Sequence, residues 1–218
     1  MSTLIVHGIP GSPYVRIPLL ACEEKGAPYR LAAMAFGAGA TKSPEHLARH
    51  PFGRIPAIEH GDFQLYEAQA IARYIDQAFD GPGLTPADPR AQARMNQVMN
   101  IVDWYVMPSI SAGIGFNRVI KPRFGMPADE DAVANALPMA RTCVAALEDI
   151  LGAKPYFAGK TLSLADIFAY PHLEIFGQTP EGADMMAGSP LLGWTERMGA
   201  RTSVKNTSWD RLLETAAA

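Results

Sequence analysis

The chain has 218 residues, 48% of them apolar, and a formal net charge of −3. That is enough for one large domain or two small ones with real cores, and without a basic excess there is nothing to attract nucleic acid. No apolar run reaches membrane-spanning length, and the opening MSTLIVHGIPGSPY reads as carrying no signal peptide. Cys22 and Cys143 each fall in a helical pattern, and read as free buried thiols of a reducing, cytoplasmic compartment.

In chain order, residues 3–7 (TLIVH) read as a buried strand. Gly8 to Gly11 breaks it, and Ser12 at N-cap with Pro13 at N1 starts a helix that stops at Gly26. Pro18 predicts a kink inside that helix. Residues 29–34 read as a second strand, and 35–49 as a loop with a short helical turn at 44–49. Residues 57–60 and 63–66 alternate as two strands about a turn at Gly61. Glu67 then opens a helix with Ile71, Ile75, Ala78 and Phe79 on one face. The order β-α-β, loop, β-β-α is the thioredoxin-like plan.

Residues 80–88 (DGPGLTPAD) read as a linker. Asp88 caps and Pro89 opens a long helix that Pro108 is expected to kink or end. Residues 121–131 read as loop, followed by a second long helix interrupted at Pro138. Ser163 and Asp166 have the form of a capping box, with Leu162 and Ile167 at the hydrophobic staple positions. Amphipathic segments at 190–200 and 207–214 complete an all-helical second half. The expected architecture is an α/β thioredoxin-like domain (1–79), a linker (80–88) and an all-α domain (89–218).

Three places carry the marks of a site. Ser12-Pro13-Tyr14-Val15 has the frame of the glutaredoxin Cys-Pro-Tyr-Cys with both thiols gone, which excludes disulfide exchange there. A serine in that frame is able to donate a hydrogen bond to a bound thiolate. At Ile55-Pro56, a cis bond would turn the amide and carbonyl of Ile55 outward toward an extended peptide-like ligand. Glu67 sits at a helix start, where backbone N–H groups receive a carboxylate and the side chain receives an ammonium. His46 and His50 stand four apart without a third ligand, so no metal site is expected. No nucleophile-elbow or phosphate-cradling glycine motif occurs.

HPFGRIPAIE resembles the NPFGxVPALE of the glutathione S-transferases, and YEAQAIARYI resembles their FESxAIxxYL. The likeness is to the serine-dependent phi, theta and zeta classes, dense over the first 80 residues and looser afterwards. It implies that Ser12 is the catalytic serine, that Ile55 and Pro56 hold the cysteinyl backbone of glutathione, and that Glu67 takes the γ-glutamyl ammonium. Lys42 and Arg54 resemble the residues near the glycyl carboxylate. Ala68 stands where the family has a serine that helps to hold the γ-glutamyl carboxylate. Thr41 replaces a family histidine, and His50 an asparagine. A hydrophobic electrophile needs an apolar pocket beside the sulfur, for which Trp104, Tyr105, Met107, Phe116 and Phe176 are the candidates. The resemblance further implies a cytoplasmic homodimer that uses glutathione as co-substrate and has no cofactor. The alternatives are a non-catalytic ligand-binding or interaction module, or another glutathione-dependent reaction such as isomerisation, dehalogenation or peroxide reduction.

Overall fold

The computed structural model of the protein describes residues 2–37 and 39–216. It divides into two compact units. The first takes the described residues of Met1–Thr85 and Ala200–Ala218, and the second Pro86–Gly199.

The first unit is built on four strands, β1 (Leu4–Gly8), β2 (Tyr29–Ala33), β3 (Ala57–His60) and β4 (Phe63–Tyr66), in the order β2-β1-β3-β4. β1 and β2 are parallel, and β3 runs antiparallel to both β1 and β4. α1 (Pro13–Lys25) and α3 (Ala68–Ala78) pack against each other, while the short α2 (Pro44–Arg49) packs on β4. α1 ends as predicted at Gly26, whose φ of 66° is left-handed and whose N–H returns to the carbonyls of Cys22 and Glu23. Leu4, Val6, Ile58, Ile71 and Ile75 form its core and are fully buried.

The unit boundaries depart from the predicted domains at both ends of the second half. Residues 80–85 belong to the first unit. Asp76 explains this, because its carboxylate accepts the Leu84 N–H at 2.8 Å and lies 3.4 Å from Lys25 Nζ, which also donates to the Pro82 carbonyl. The tail from Ala200 also returns to the first unit, bringing α10 (Thr202–Asn206) and α11 (Trp209–Ala216) with it. Arg201 makes a bidentate pair with Glu24 on α1 (2.7 and 2.6 Å), and Ser203 donates to the same carboxylate. Asn206 Nδ2 donates to Glu23 at 2.8 Å. Arg16, only 6% exposed, donates to the Val204 carbonyl at 2.9 Å and the Thr207 hydroxyl at 3.3 Å. Burial works to raise the Glu24 carboxyl, but the Arg201 and Ser203 bonds outweigh it and hold the group below its ordinary range.

The second unit contains α4 (Pro89–Ile101), α5 (Lys121–Arg123), α6 (Glu130–Leu151), α7 (Leu164–Gly177), α8 (Pro180–Met186) and α9 (Pro190–Gly199). Between α4 and α5 the chain stays helical over Val102–Ile120, but in a wider winding whose last turn closes from Lys121 N–H to the Phe116 carbonyl, five residues back. Pro108 therefore neither ends nor interrupts this segment. A wider turn moves aside the carbonyl that a proline ring strikes in an ordinary helix. α6 likewise runs unbroken through Pro138.

The capping box at the start of α7 is present and fully buried. The Asp166 carboxylate accepts from the Ser163 N–H and hydroxyl, from the Phe157 N–H and from Trp194 Nε1, each at 3.0 Å. Burial still pushes its pKa up, against the pull of those four donors. Replacing Asp166 by alanine strands four buried donors at once. The expected loss of stability is about 3–5 kcal/mol, read as a lower urea midpoint with Trp194 fluorescence as probe. A loss below about 1 kcal/mol would contradict the structural role argued for this carboxylate.

Candidate active site

The strand register brings the predicted site residues to one end of the sheet. His7 pairs with Ala57, and Ala57 pairs with Tyr66. The chain leaving β1 toward Ser12, the chain entering β3 from Pro56 and the chain leaving β4 into Glu67 are therefore neighbours. Gly8 pairs with Ala33, so the segment that leads to Lys42 starts at the same end.

Ser12 is half-buried at the first residue before α1, with extended φ and ψ of −68° and 126°. Its carbonyl accepts the Arg16 N–H at 3.1 Å, as at any helix start, but its hydroxyl makes no capping bond. The backbone half of the cap is made and the side-chain half is uncommitted.

The Ile55–Pro56 bond is cis. Ile55 lies outside the strand ladders, and its N–H and carbonyl have no backbone partner among the described residues. Glu67 has φ 73° and ψ 115°, and among the described residues no other non-glycine residue has positive φ. Such a conformation costs a side-chain-bearing residue about 1–3 kcal/mol, and is retained where the surroundings demand it. Glu67 is exposed, and its carboxylate makes no hydrogen bond or ion pair among the described residues. Ala68, 9% exposed, opens α3 behind it and offers a methyl group where the family motif has a hydroxyl.

Lys42 and Arg54 are both exposed cations. Lys42 Nζ donates to the Phe52 carbonyl at 3.2 Å, and the Arg54 carbonyl receives His46 Nε2 at 2.7 Å. Neither cation is paired with a carboxylate among the described residues.

Sequence reasoning assigned no role to His50, and the structure buries it where the charges of this group reach it. It is 2% exposed, its ring lies 4.8 Å from that of Tyr66, and its Nδ1 is buried without a hydrogen-bond partner. Burial lowers its pKa; Glu67 opposes this, while His46, Arg54 and Lys42 reinforce it. The charges of Lys42, Arg54 and Glu67 thus all bear on this one imidazole. The only signal in the sequence was the H in HPFG, which periodicity does not interpret.

In the second unit Trp104 and Tyr105 are 73% and 51% exposed on the wide helix, with Met107 and Phe116 half-buried. Phe176 is fully buried and does not join this surface. It is a packing residue of α7, because an apolar ring on the helix's inner side closes the unit's core. Among the described residues no group of three or more His, Cys, Asp and Glu is arranged to hold a metal ion, and no helix is long and apolar enough to cross a membrane.

The family model for the N-terminal domain of glutathione S-transferases matches residues 2–77, and the model for their C-terminal domain matches residues 130–197. The probable glutathione S-transferase GSTF1 of Oryza sativa subsp. japonica is 32% identical, over 94% of this chain and 95% of that one. This chain belongs to the glutathione S-transferase family. Its serine-type character agrees with the relatives. Glutathione transferase F7 from Populus trichocarpa superposes with a TM-score of 0.83 at 27% identity, covering 98% of this chain and 99% of that one. A glutathione S-transferase-I bound with lactoylglutathione superposes with a TM-score of 0.81 at 27% identity, covering 99% of both chains.

The transferase fold carries the Glu67 conformation as a local cost, which a substitution exposes. Glu67→Gly removes the clash that positive φ imposes on a Cβ and is expected to stabilise the folded chain by up to about 1 kcal/mol after glycine's own entropic cost. Glu67→Ala keeps the Cβ and is expected to leave stability unchanged. Paired urea denaturation curves check this, and a glycine variant less stable than the alanine variant would count against strain at this residue.

Proposed function

We propose that this chain is a glutathione transferase that joins the thiolate of reduced glutathione to a hydrophobic, electrophilic small molecule, with Ser12 stabilising the thiolate. The observation that carries this reading is the uncommitted Ser12 hydroxyl at the start of α1. An unperturbed thiol with a pKa near 8.5 is only about 3% ionised at pH 7. A charge-assisted hydrogen bond together with the helix dipole lowers that pKa by roughly 1–2, which raises the thiolate to between about a quarter and three-quarters. The thiol proton goes to solvent. The sulfur lone pair then forms the carbon–sulfur bond as the electrophile's leaving group departs with its electron pair, or as a conjugated double bond takes up a proton.

The other roles follow from groups left unpaired. Ile55 offers its N–H and carbonyl to the cysteinyl backbone beside Pro56. Glu67 takes the γ-glutamyl ammonium, and the N–H of Ala68 takes the γ-glutamyl carboxylate at the positive end of α3. Lys42 and Arg54, without carboxylate partners among the described residues, receive the glycyl carboxylate. Trp104, Tyr105, Met107 and Phe116 are the electrophile contacts from the helical unit. Glutathione enters as co-substrate and the reaction calls on no cofactor. Family membership supports a cytoplasmic homodimer.

Calorimetric titration with reduced glutathione, followed by thiolate absorbance against pH, tests the reading. The expected result is binding with a thiol pKa well below 8.5. Ser12→Ala is expected to return the pKa toward that value and to lower kcat at pH 7 about tenfold or more, while the glutathione Kd moves less than about threefold. Binding with an unshifted thiol would point to a ligand-binding module, and no binding at millimolar glutathione would defeat the proposal. Ala68→Ser restores a hydrogen bond worth about 0.5–1.5 kcal/mol and is expected to tighten glutathione binding by roughly 2- to 13-fold.

A further inference from the structure

The first unit contains one aromatic side chain that the transferase reading does not use and that touches the residue next to Ser12. Trp209 opens α11, 197 positions after Ser12 in sequence. Gly11 has φ 86°, and a Cβ built on it would come within 2.5 Å of both Cδ2 and Cε2 of Trp209 and 2.9 Å of its Cγ. The indole therefore lies flat against the Gly11 backbone, over the bond that fuses its two rings. Glycine is required there twice over, by the positive φ and by the approach of the ring.

α11 is itself held. Leu212, 4% exposed, anchors the helix, which packs against β2. The preceding segment is tied to α1 by Arg16, which donates to the Val204 carbonyl and the Thr207 hydroxyl one turn beyond Ser12. Ser12 N–H donates to the Ile9 carbonyl at 3.1 Å, closing the turn in which Gly11 sits. The tail thus grips the start of α1 on both sides of Ser12: Trp209 on Gly11 before it, and Val204 with Thr207 on Arg16 after it.

We propose that Trp209 is a positioning residue for Ser12, holding the Gly11–Ser12 backbone so that the serine hydroxyl meets the bound thiolate at hydrogen-bonding distance and angle. The inference rests on the role given to Ser12 above. Gly11 has more backbone freedom than any other residue type would have there. A hydrogen bond weakens steeply once its angle degrades, and a site held by loose supports loses function before it loses binding. Removing the indole frees Gly11 and lets the hydroxyl wander. Less thiolate then forms, although the groups that bind the rest of glutathione are untouched.

The test is the pH titration of thiolate absorbance on the glutathione complexes of the wild type, Trp209→Ala, Trp209→Phe, Ser12→Ala and the double variant Ser12→Ala/Trp209→Ala. Trp209→Ala is expected to raise the thiol pKa by about 0.5–1, up to half of the rise in Ser12→Ala, with the glutathione Kd within about threefold of wild type. Trp209→Phe keeps a flat ring on Gly11 and is expected to restore the wild-type titration. The double variant is expected to titrate like Ser12→Ala alone, since one route leads through the other. Should Trp209→Ala fail to fold, Trp209→Leu carries the same expectation, because it keeps apolar bulk without the flat face. A Trp209→Ala or Trp209→Leu variant with the wild-type thiol pKa, or a double variant whose two effects add, overturns this inference while leaving the role of Ser12 intact. A thiol pKa in Ser12→Ala that stays at the wild-type value, or a wild type that binds no glutathione, overturns both.

Discussion

The pairing of His7 with Ala57 and of Ala57 with Tyr66 is the constraint on which the candidate site depends. It sends three chain segments out of the same end of the sheet, carrying a serine, an X-Pro bond and a strained glutamate. What holds the register is apolar burial one position away. Val6 pairs with Ile58, and both are fully buried. A slip of one residue would turn these side chains out of the core and would separate the three segments at the same time. The site geometry is therefore secured by residues that take no part in chemistry, and it is no weaker than the core itself.

The helix starts divide into two kinds. At α2, α4, α6 and α8 the residue before the helix uses its side chain as a cap: Ser43, Asp88, Asp129 and Thr179 each accept a backbone N–H from the first turn. Each such cap stabilises by about 1 kcal/mol. At α1, α3, α5 and α10 the residue before the helix makes no side-chain cap bond; before α5 it is Ile120, which has no polar side-chain group, and before α10 it is Arg201, whose guanidinium is committed to Glu24. Ser12 is chemically able to cap and does not, and Glu67 adds a positive φ to the cost. Of these helices, α1 and α3 start at the end of the sheet where the Ile55 groups lie, without a backbone partner among the described residues. Stability forgone at two adjacent helix N-termini, in a chain that caps others as usual, is what a site for an anionic, peptide-like ligand requires.

Much of this was legible in residues 50–75, because local chemistry there is unambiguous. Gly61 sets a hairpin, alternation sets two strands, and the Glu67 helix shows its apolar face at spacings of three and four. The Asp166 box was equally plain, since a cap is a local device. Three features were not legible, each for a physical reason. Arg201 lies 177 positions from Glu24, and nothing local to either end announces a pairing over that distance. Pro108 carries a rule about ordinary helices, which a wider winding escapes. Phe176 belongs to a stripe of aromatic and aliphatic residues in which sequence does not separate the face toward the core from the face toward a ligand. Exposure separates them at once, with Trp104 at 73% and Phe176 at 0%.

The return of the tail has its cause in α1. Every residue from Val15 to Cys22 is buried, including Arg16, so the helix has no face left for water over two turns. A helix buried all round must be covered all round, and a buried guanidinium must find acceptors. α3 and β1 cover part of α1. The tail covers another part and supplies the Val204 carbonyl and Thr207 hydroxyl that Arg16 needs. The same burial makes Cys22 unreactive, its thiol pushed up to about 12 by desolvation and the neighbouring Glu23 charge. Ser12 stands at the open end of a helix that is otherwise enclosed. Its position is fixed by packing along α1 and by its two backbone hydrogen bonds, to the Ile9 carbonyl and from the Arg16 N–H, and not by its side chain, which leaves the hydroxyl free for a ligand.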